Sequence, residues 1–326
     1  MNIVFLFPGQ GAQYVGMGRD LYDYSPAVRE LFEMGSDAGR LDLAALLFSG
    51  TEEHLRQTDN TQIAITLVNL AVRQVLADFG ITSTASAGFS LGEYTALVDA
   101  GVLSREDVLT LVLQRGQIME RASRHLDRDG GSAGMMAVMG KDLPEVRTIL
   151  QDAGINDVYP SLHNSPVQTV VGGTATGLVA AAEAFKAAGV RRTVPLKVSG
   201  PFHTPLMQEA QDDLERIVQW VTFRDPVRPV YSNVTGERIT SGAEARQRCL
   251  EQLVSTVAWV KEERRILEDG ADLVIEAGPG TVLQGLWDAV GRTDPDWPVE
   301  RCRTAGTLEE IEAIARSIEQ EQSHAS

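Results

Sequence analysis

Five residues, Gly-Phe-Ser-Leu-Gly at positions 88–92, constrain the fold of this chain more than any other segment. A short strand is predicted before them, at 82–87, and a helix after them, ending near Ala100. A strand can turn into a helix this sharply only where glycines let the two backbones approach each other. Such turns lie at the carboxyl edge of the sheet in an α/β protein. The segment therefore predicts an α/β fold that presents Ser90 at a sheet edge.

A second strand and loop open the chain. Residues 3–7 are apolar and stop at Pro8, which predicts a buried strand leading through the loop PGQGAQ into a helical stretch. Apolar residues at helical spacing over 62–79 predict a long helix with one buried face, and Ser104 is the expected N-cap of another. A length of 326 residues allows one large α/β unit that carries a smaller one.

The pattern changes after a polar, glycine-containing stretch at 127–132, where a linker is expected. Strands and helices then follow in the order βαββαβ, the split βαβ layout of a ferredoxin-like unit. The predicted elements are strands at 135–139, 158–162, 167–171 and 192–196, and helices at 143–153 and 174–188. We therefore predict a large domain in two parts, 1–127 and 199–306, an inserted small domain over 128–198, and a C-terminal helix and tail over 307–326.

Charge and composition exclude several classes of function. Lys and Arg number 29 against 45 Asp and Glu, a net charge of −16, so a nucleic-acid partner is not expected. Cys249 and Cys302 stand apart from each other and from any Cys/His cluster, so neither a disulfide framework nor a metal site is expected. With no signal peptide and no apolar run of about 18 residues, we expect a cytoplasmic protein without a membrane partner.

Ser90 is a candidate nucleophile, because the helix that follows it favours developing negative charge at that position. A serine nucleophile needs a base, and the chain has five histidines. His203 is favoured, since it lies where the chain re-enters the large domain and clefts form between domains. The others are His163, in the small domain, and His54, His125 and His324, in surface or terminal stretches. A chance occurrence of the Gly-x-Ser-x-Gly pattern among 30 glycines is the alternative.

Two further features could complete a site. The loop at 8–11 could place a backbone N–H beside Ser90 and form an oxyanion hole with the N–H of Leu91, or it could be a plain β–α turn. Arg115 lies in an apolar helical stretch, where a guanidinium is buried only against a partner. That partner could be a substrate carboxylate; alternatively, the side chain extends to water.

Nine segments in order resemble the family of malonyl-CoA:acyl carrier protein transacylases, which includes free-standing acyltransferases that serve polyketide synthases in trans. These segments are FLFPGQGAQYVGMG, TQIAI, GFSLGEYTALVDAGVLS, QRGQIM, MMAVMG, NSPVQTVVGG, VPLKVSGPFHTPLM, VYSNVTG and EAGPGTVLQGL, within residues 1–290. The resemblance implies a large α/β-hydrolase-like domain with an inserted ferredoxin-like domain. It also implies malonyl-CoA as donor, a phosphopantetheinylated acyl carrier protein as acceptor, and no permanently bound cofactor beyond the CoA thioester substrate.

The resemblance implies a role for each matching residue. Ser90 would be acylated, with His203 as general base and then general acid. Backbone N–H groups of Gln10 and Leu91 would hold the oxyanion, and Arg115 would pair with the malonyl carboxylate. The main-chain carbonyl of Gln252 would orient the histidine. Positions that it places at the substrate site are Gln62, Phe89, Asn164 and Phe202.

Four positions bear on the acyl group. Phe89 stands where the family usually has histidine, and Leu162 stands where an asparagine is expected, so the pocket should be more apolar than usual. Phe202 precedes His203 as in malonyl-selective acyltransferase domains, where the ring is expected to exclude an α-methyl branch. Phe202 and Arg115 favour malonyl.

The sequence leaves three alternatives to malonyl transfer. The first is a transferase that moves a larger, carboxylate-free acyl group between carrier proteins, and the second is an acyl-thioester hydrolase of the same fold. The third is a non-catalytic docking subunit. Docking of an acidic carrier protein on this acidic chain would need a local basic patch, unless the candidate cations are only solvated surface charge. The candidates are Arg191, Arg192 and Lys197, or Lys261, Arg264 and Arg265.

Overall fold

A computed structural model describes residues 1–127 and 131–324, with the side chains of 322 and 324 excepted. The predicted linker at 127–132 includes residues 128–130, and the predicted tail ends at 325–326; these lie outside the described residues. The strands are β1 (Ile3–Phe7), β2 (Ala85–Gly88), β3 (Gly134–Met139), β4 (Val158–Ser165), β5 (Gln168–Gly173), β6 (Arg192–Pro195), β7 (Leu273–Glu276) and β8 (Cys302–Thr304).

Helices connect and cover these strands, which makes the protein a mixed α/β structure. The helices of the first part are α1 (Arg19–Tyr24), α2 (Pro26–Gly39), α3 (Leu43–Ser49), α4 (Glu52–Arg56), α5 (Thr58–Asp78), α6 (Gly92–Asp99) and α7 (Arg105–His125). The later helices are α8 (Leu143–Asp152), α9 (Ala175–Ala187), α10 (Gln208–Val218), α11 (Gly242–Gln252), α12 (Trp259–Glu268), α13 (Val282–Gly291) and α14 (Leu308–His324). Two short 3₁₀ turns lie at Pro205–Met207 and Val299–Arg301.

A parallel sheet with the strand order β2-β1-β7-β8 forms the centre of the larger unit. Every residue of β1 is buried, as expected for a parallel strand covered by helices on both faces. In the register of β1 and β2, Phe7 lies opposite Gly88. The loop after β1 and the turn after β2 therefore emerge side by side at the carboxyl edge of the sheet.

An antiparallel sheet with the order β4-β5-β3-β6 forms the smaller unit, and its elements follow the predicted order. Side chains alternate between its two faces, as the two-residue period of a strand requires. Met136 and Val138 of β3 pack with α8 and α9 in a small separate core. Met135 and Ala137 belong to the main core of the molecule. One face of this sheet thus closes over the larger unit.

Two further segments join the larger sheet. Val230 forms a single bridge to Ser86, and the chain then turns back and pairs Tyr231 with Arg238. β8 extends the sheet beyond β7, and α13 lies between these strands in the chain. The sequence does not predict β8, since three residues are too few to show a periodic pattern.

Glycines at the sheet edge allow β1 and α6 to approach at van der Waals distance. A Cβ atom on Gly92 would lie 1.8 Å from the carbonyl oxygen of Phe7, and one on Gly88 would lie 2.1 Å from the Gly92 carbonyl. Ser90, between them, has a φ of 51°, a strained left-handed conformation for a residue with a side chain. The packing of strand against helix therefore maintains the strained turn.

We predict that Gly92→Ala destabilises the protein by ~2–3 kcal/mol, because the methyl group would push α6 away from β1. Gly285 in α13 is the matched control, since a Cβ there would meet no atom within 4 Å. Gly285→Ala should be neutral or stabilise by up to ~1 kcal/mol, because alanine is the better helix former. Urea unfolding measures both changes, and equal midpoints for the two variants would contradict this account of the turn.

Candidate active site

The structure brings Ser90 and His203 together at the cleft between the two sheets. The Ser90 Oγ lies 2.6 Å from the His203 Nε2, although the two residues are separated by 113 positions. Ser90 is held on the turn between β2 and α6, and His203 lies on the segment that leaves the smaller sheet after β6. His203 also has a positive φ, 60°, so its backbone is constrained as well.

A main-chain carbonyl orients the imidazole. The His203 Nδ1 lies 2.7 Å from the carbonyl oxygen of Gln252. A carbonyl can only accept, so Nδ1 carries the proton and Nε2 is left to accept from the Ser90 hydroxyl. Burial and the charge of Arg115 lower the pKa of His203 to about 3, although the bond to Gln252 opposes this. The histidine is therefore a neutral base throughout the physiological range.

Three other histidines, His54, His125 and His163, have surroundings away from Ser90. His163 pairs with Asp142 at 2.5 Å, and His125 pairs with Glu209 at 2.9 Å on the surface. His54 is exposed in the short helix α4. The side chain of His324 is outside the described part of the chain.

Two backbone N–H groups near Ser90 are without an acceptor in the described residues. Neither the Leu91 nor the Gln10 N–H donates a hydrogen bond within residues 1–127 and 131–324. The preceding loop packs against the turn, since a Cβ on Gly9 would lie 2.3 Å from the Phe89 carbonyl oxygen and 3.4 Å from the Leu91 nitrogen. Gln10 and Leu91 line the same cavity as Ser90, which makes their N–H groups candidate donors of an oxyanion hole.

Arg115 lies within the same site and does not extend to water. Its side chain is buried, at 1% relative exposure. Nη1 donates to the Gln62 Oε1 at 2.8 Å, Nη2 donates to the Gln252 Oε1 at 3.0 Å, and the guanidinium lies 5.1 Å from the Tyr94 ring centre. Nε has no hydrogen-bond partner in the described structure. A buried cation held by two neutral amides retains the capacity to bind an anion.

A small cavity of about 80 Å³ joins these groups. Its walls are mainly apolar, and both units contribute to them. The lining residues are Gln10, Phe89, Ser90, Leu91, Arg115, Met119, Met135, Leu162, Leu196, Val198, Phe202 and His203. Phe89 is fixed against Trp259 with the ring centres 5.3 Å apart. Phe89 and Leu162, at the two positions where polar residues were expected, are part of this apolar wall.

A wider channel of about 410 Å³ shares one wall with this cavity. Gln10, Phe89 and Leu162 line both spaces, whereas Asn164 lines only the channel. Arg56 and Lys197 are also on the channel wall. Of the predicted substrate-binding residues, Gln62 lines neither space, since its amide contacts Arg115 and the Met119 sulfur.

Sequence reasoning assigned no role to Asn233 and Glu93. Asn233 bonds to the backbone of the Ser90 turn, and Glu93 bonds to Asn233. The Asn233 Oδ1 accepts the Ser90 N–H at 2.7 Å, and its Nδ2 donates to the Gly88 carbonyl at 2.7 Å. Glu93 accepts the Asn233 N–H at 3.2 Å. A glutamate inside the apolar run that follows the turn is a usable sequence signal, because such a residue is buried only when paired. Asn233 gives no comparable signal.

Within residues 1–127 and 131–324, no helix is long and apolar enough to cross a membrane. In the same residues, no three His, Cys, Asp or Glu side chains are grouped as metal ligands would be.

Comparison with known proteins identifies the family. The sequence pattern of the family described as "Acyl transferase domain" matches residues 4–321. The chain is 38% identical over 294 residues to the malonyl CoA-acyl carrier protein transacylase of Bacillus subtilis (strain 168), covering 89% of this chain and 91% of that protein.

Two solved structures are similar along nearly the whole chain. The MCAT of Streptococcus pneumoniae has a TM-score of 0.88 and 34% identity, over 97% of this chain and all (100%) of that one. A malonyl-transacylase in complex with its holo type II PKS acyl-carrier protein has a TM-score of 0.89 and 32% identity, with coverage of 97% and 100%. The chain therefore belongs to the acyltransferase family of the malonyl-CoA:acyl carrier protein transacylases.

Proposed function

We propose that this protein transfers a malonyl group from malonyl-CoA to the phosphopantetheine thiol of an acyl carrier protein, in fatty-acid or polyketide synthesis. The observation that carries the proposal is the 2.6 Å contact between Ser90 and a neutral His203 in a cavity that also contains the buried Arg115 guanidinium. The curated relative and the carrier-protein complex, both malonyl transacylases by name, support this choice of donor and acceptor.

The first half-reaction acylates Ser90. His203 Nε2 takes the hydroxyl proton as Ser90 Oγ attacks the thioester carbonyl, and the N–H groups of Gln10 and Leu91 stabilise the oxyanion. When the tetrahedral intermediate collapses, the C–S bond breaks and the imidazolium gives its proton to the CoA sulfur. The carbonyl of Gln252, 2.7 Å from Nδ1, stabilises the imidazolium between these two events.

The second half-reaction reverses these steps with a different thiol. His203 takes the proton of the phosphopantetheine thiol, whose sulfur attacks the seryl ester, and the proton then returns to Ser90 Oγ. No cofactor takes part beyond the CoA thioester. The wider channel at the cavity entrance has room for the pantetheine arm of either substrate. The apolar walls limit water near the ester between the two transfers.

Arg115 is the proposed partner of the malonyl carboxylate. Its unpaired Nε and its place in the cavity wall suit a bidentate contact. Phe202, Phe89 and Leu162 would surround the short acyl chain. A cavity of about 80 Å³ disfavours the alternative of a large, carboxylate-free acyl group. Thioester hydrolysis is the second alternative, and product analysis decides it.

The two sheets support a more specific description of the fold than mixed α/β. We propose that the parallel sheet and its helices form an α/β-hydrolase-like domain, residues 1–127 and 199–306, followed by a C-terminal segment, 307–326. The antiparallel sheet would be an inserted ferredoxin-like domain, 128–198. The order β3-α8-β4-β5-α9-β6 supports this description. In this arrangement the small domain supplies Leu162 and Asn164 to the substrate site.

Carrier-protein docking is best supported on one of the two basic patches. Arg191, Arg192 and Lys197 are exposed, and no ion pair involves them within the described residues. In the other patch, Lys261 pairs with Glu237 at 3.1 Å and Arg265 pairs with Asp269 at 3.1 Å. These unpaired cations, of which Lys197 lines the channel, can meet an acidic carrier protein without first breaking an internal pair.

Ser90→Ala should abolish acyl-enzyme formation, because it removes the hydroxyl that contacts the His203 Nε2 at 2.6 Å. Intact-mass spectrometry after exposure to malonyl-CoA measures the label. The native enzyme should gain one malonyl group, lose it on addition of holo acyl carrier protein, and yield malonyl-carrier protein. Malonyl label on the alanine variant would refute the nucleophile, and free malonate as the main product would establish the hydrolase.

Arg115→Ala should lower kcat/KM for malonyl-CoA by about 100-fold or more, because truncation of one partner in a buried charge pair costs at least ~2–5 kcal/mol. Acetyl-CoA, which lacks the carboxylate, should lose much less. Arg121→Ala in the same helix is the matched control, since Arg121 is half exposed and pairs with Asp213 at the surface. Equal losses for the two donors would show that the guanidinium does not bind the carboxylate.

The rate of acylation should be insensitive to pH on the acid side of neutrality. kcat/KM reports ionisations of the free enzyme, where the pKa of His203 is lowered to about 3. Because the folded pKa lies far below the ordinary value near 6.5, the base remains unprotonated as the pH falls from about 7 to about 5. A tenfold fall in kcat/KM per pH unit below 6.5, with the fold intact by circular dichroism, would contradict this.

A further inference from the structure

Glu93 lies beneath the active site and has no part in the steps described above. It is in the first turn of α6, and its side chain is buried, at 1% exposure. Both carboxyl oxygens accept hydrogen bonds, Oε1 from the Asn233 N–H at 3.2 Å and Oε2 from the Nε2 of Gln252. Two donors on one buried carboxyl form a defined arrangement that a neutral side chain of the same shape could not copy.

The side chain of Gln252 connects Glu93 to the substrate-facing arginine. Its Oε1 accepts from the Arg115 Nη2 at 3.0 Å, while its Nε2 donates to Glu93. If this amide turned over, its NH₂ group would face the guanidinium, and donor would meet donor. The carboxyl of Glu93 therefore favours the one orientation of Gln252 in which Arg115 has an acceptor.

We propose that Glu93 is a positioning residue for the malonyl carboxylate, which acts through the Gln252 amide to hold the Arg115 guanidinium in its binding orientation. This inference rests on the proposed malonyl transfer and extends it to a residue that touches no substrate. Glu93 would raise the selectivity for malonyl over acetyl donors and would leave the Ser90–His203 pair in place.

Glu93→Gln tests the proposal because an amide can accept only one of the two bonds. The Asn233 N–H has no other acceptor among the described residues, whereas the Gln252 Nε2 also approaches the Ser90 carbonyl, at 3.0 Å, and the Asn233 Oδ1, at 3.3 Å. The new carbonyl oxygen should therefore go to Asn233. The new NH₂ group is then left against Gln252 and displaces the amide that holds Arg115.

At about pH 9, where the carboxylate is ionised because its pKa is about 8, Glu93→Gln should lower kcat/KM for malonyl-CoA relative to acetyl-CoA by about tenfold, the scale of one charge-assisted hydrogen bond. Both donors are measured on one preparation, so a partly unfolded sample cannot change the ratio. Glu263→Gln is the matched control, since Glu263 is equally buried but bonds only the Trp259 Nε1, at 2.8 Å. That variant should keep the ratio of the native enzyme.

Gln252→Met breaks the same connection from its other end and keeps the main-chain carbonyl that orients His203. If Glu93 acts through Gln252, the Glu93→Gln change should have no further effect on the ratio in the Gln252→Met background. Additive effects would overturn the proposal. So would an equal loss for both donors, or a rise in the ratio, which would mean that Glu93 only offsets the charge of Arg115.

The pH dependence of the native enzyme gives a readout that needs no variant. Burial raises the pKa of Glu93 to about 8, against the lowering by its two donors and by Arg115. Because the carboxylate accepts both bonds, the malonyl-to-acetyl ratio should rise as the pH passes through about 8, and Glu93→Gln should not show this rise. The charged or titratable groups that face Glu93 are Arg115 of α7, Arg248 and Cys249 of α11, Glu262 of α12 and Tyr94 of α6.

The outcomes separate this inference from the proposed function. If the native enzyme forms no malonyl ester, the proposed function fails. If it transfers malonyl but Glu93→Gln keeps the native ratio, only the role of Glu93 fails. Should Glu93→Gln not fold, the native pH profile decides, and a ratio that is constant between about pH 6 and 9 overturns the proposal.

Discussion

The close approach of β1 to α6 is the constraint on which the rest of the site depends. Because Gly92 has no side chain, the helix begins directly beside the Phe7 carbonyl, and Ser90 is forced into its left-handed conformation. The same approach places the loop after β1 within reach of the Leu91 nitrogen. One backbone contact thus fixes the Ser90 turn, the loop after β1 and the beginning of α6 relative to one another.

Burial leaves one basic group of this site neutral, the His203 imidazole, and another charged, the Arg115 guanidinium. Both states suit acyl transfer. Burial keeps the His203 imidazole neutral, so that the base is ready before substrate arrives. It also leaves the Arg115 guanidinium in a setting where water cannot compete for it. The neutral amides of Gln62 and Gln252 hold that cation without cancelling its charge. A carboxylate bonded directly to Arg115 would have filled the place that a substrate carboxylate needs.

Much of this arrangement could be predicted from the sequence, because it depends on patterns among residues that are close together in the chain. Apolar periodicity and glycine spacing predict the strand at residues 3–7, the turn at 88–92 and the βαββαβ order. The structure confirms these elements. The pairing of Ser90 with His203 joins residues 113 positions apart, so residue types alone could favour it but not establish it. Whether Arg115 reached water or a partner was open for the same reason.

The residues that sequence reasoning missed share one property: they act through other residues. Asn233 contacts the backbone of the serine turn, and Glu93 contacts Asn233 and Gln252. Glu93, Gln252 and Asn233 come from α6, from α11 and from the loop before α11, elements that tertiary packing alone brings together. Gln62 shows the converse case, since it matches the family at a substrate position but supports Arg115 instead of lining the cavity. A motif can specify which residues share a site, but the order in which they contact one another is decided by packing.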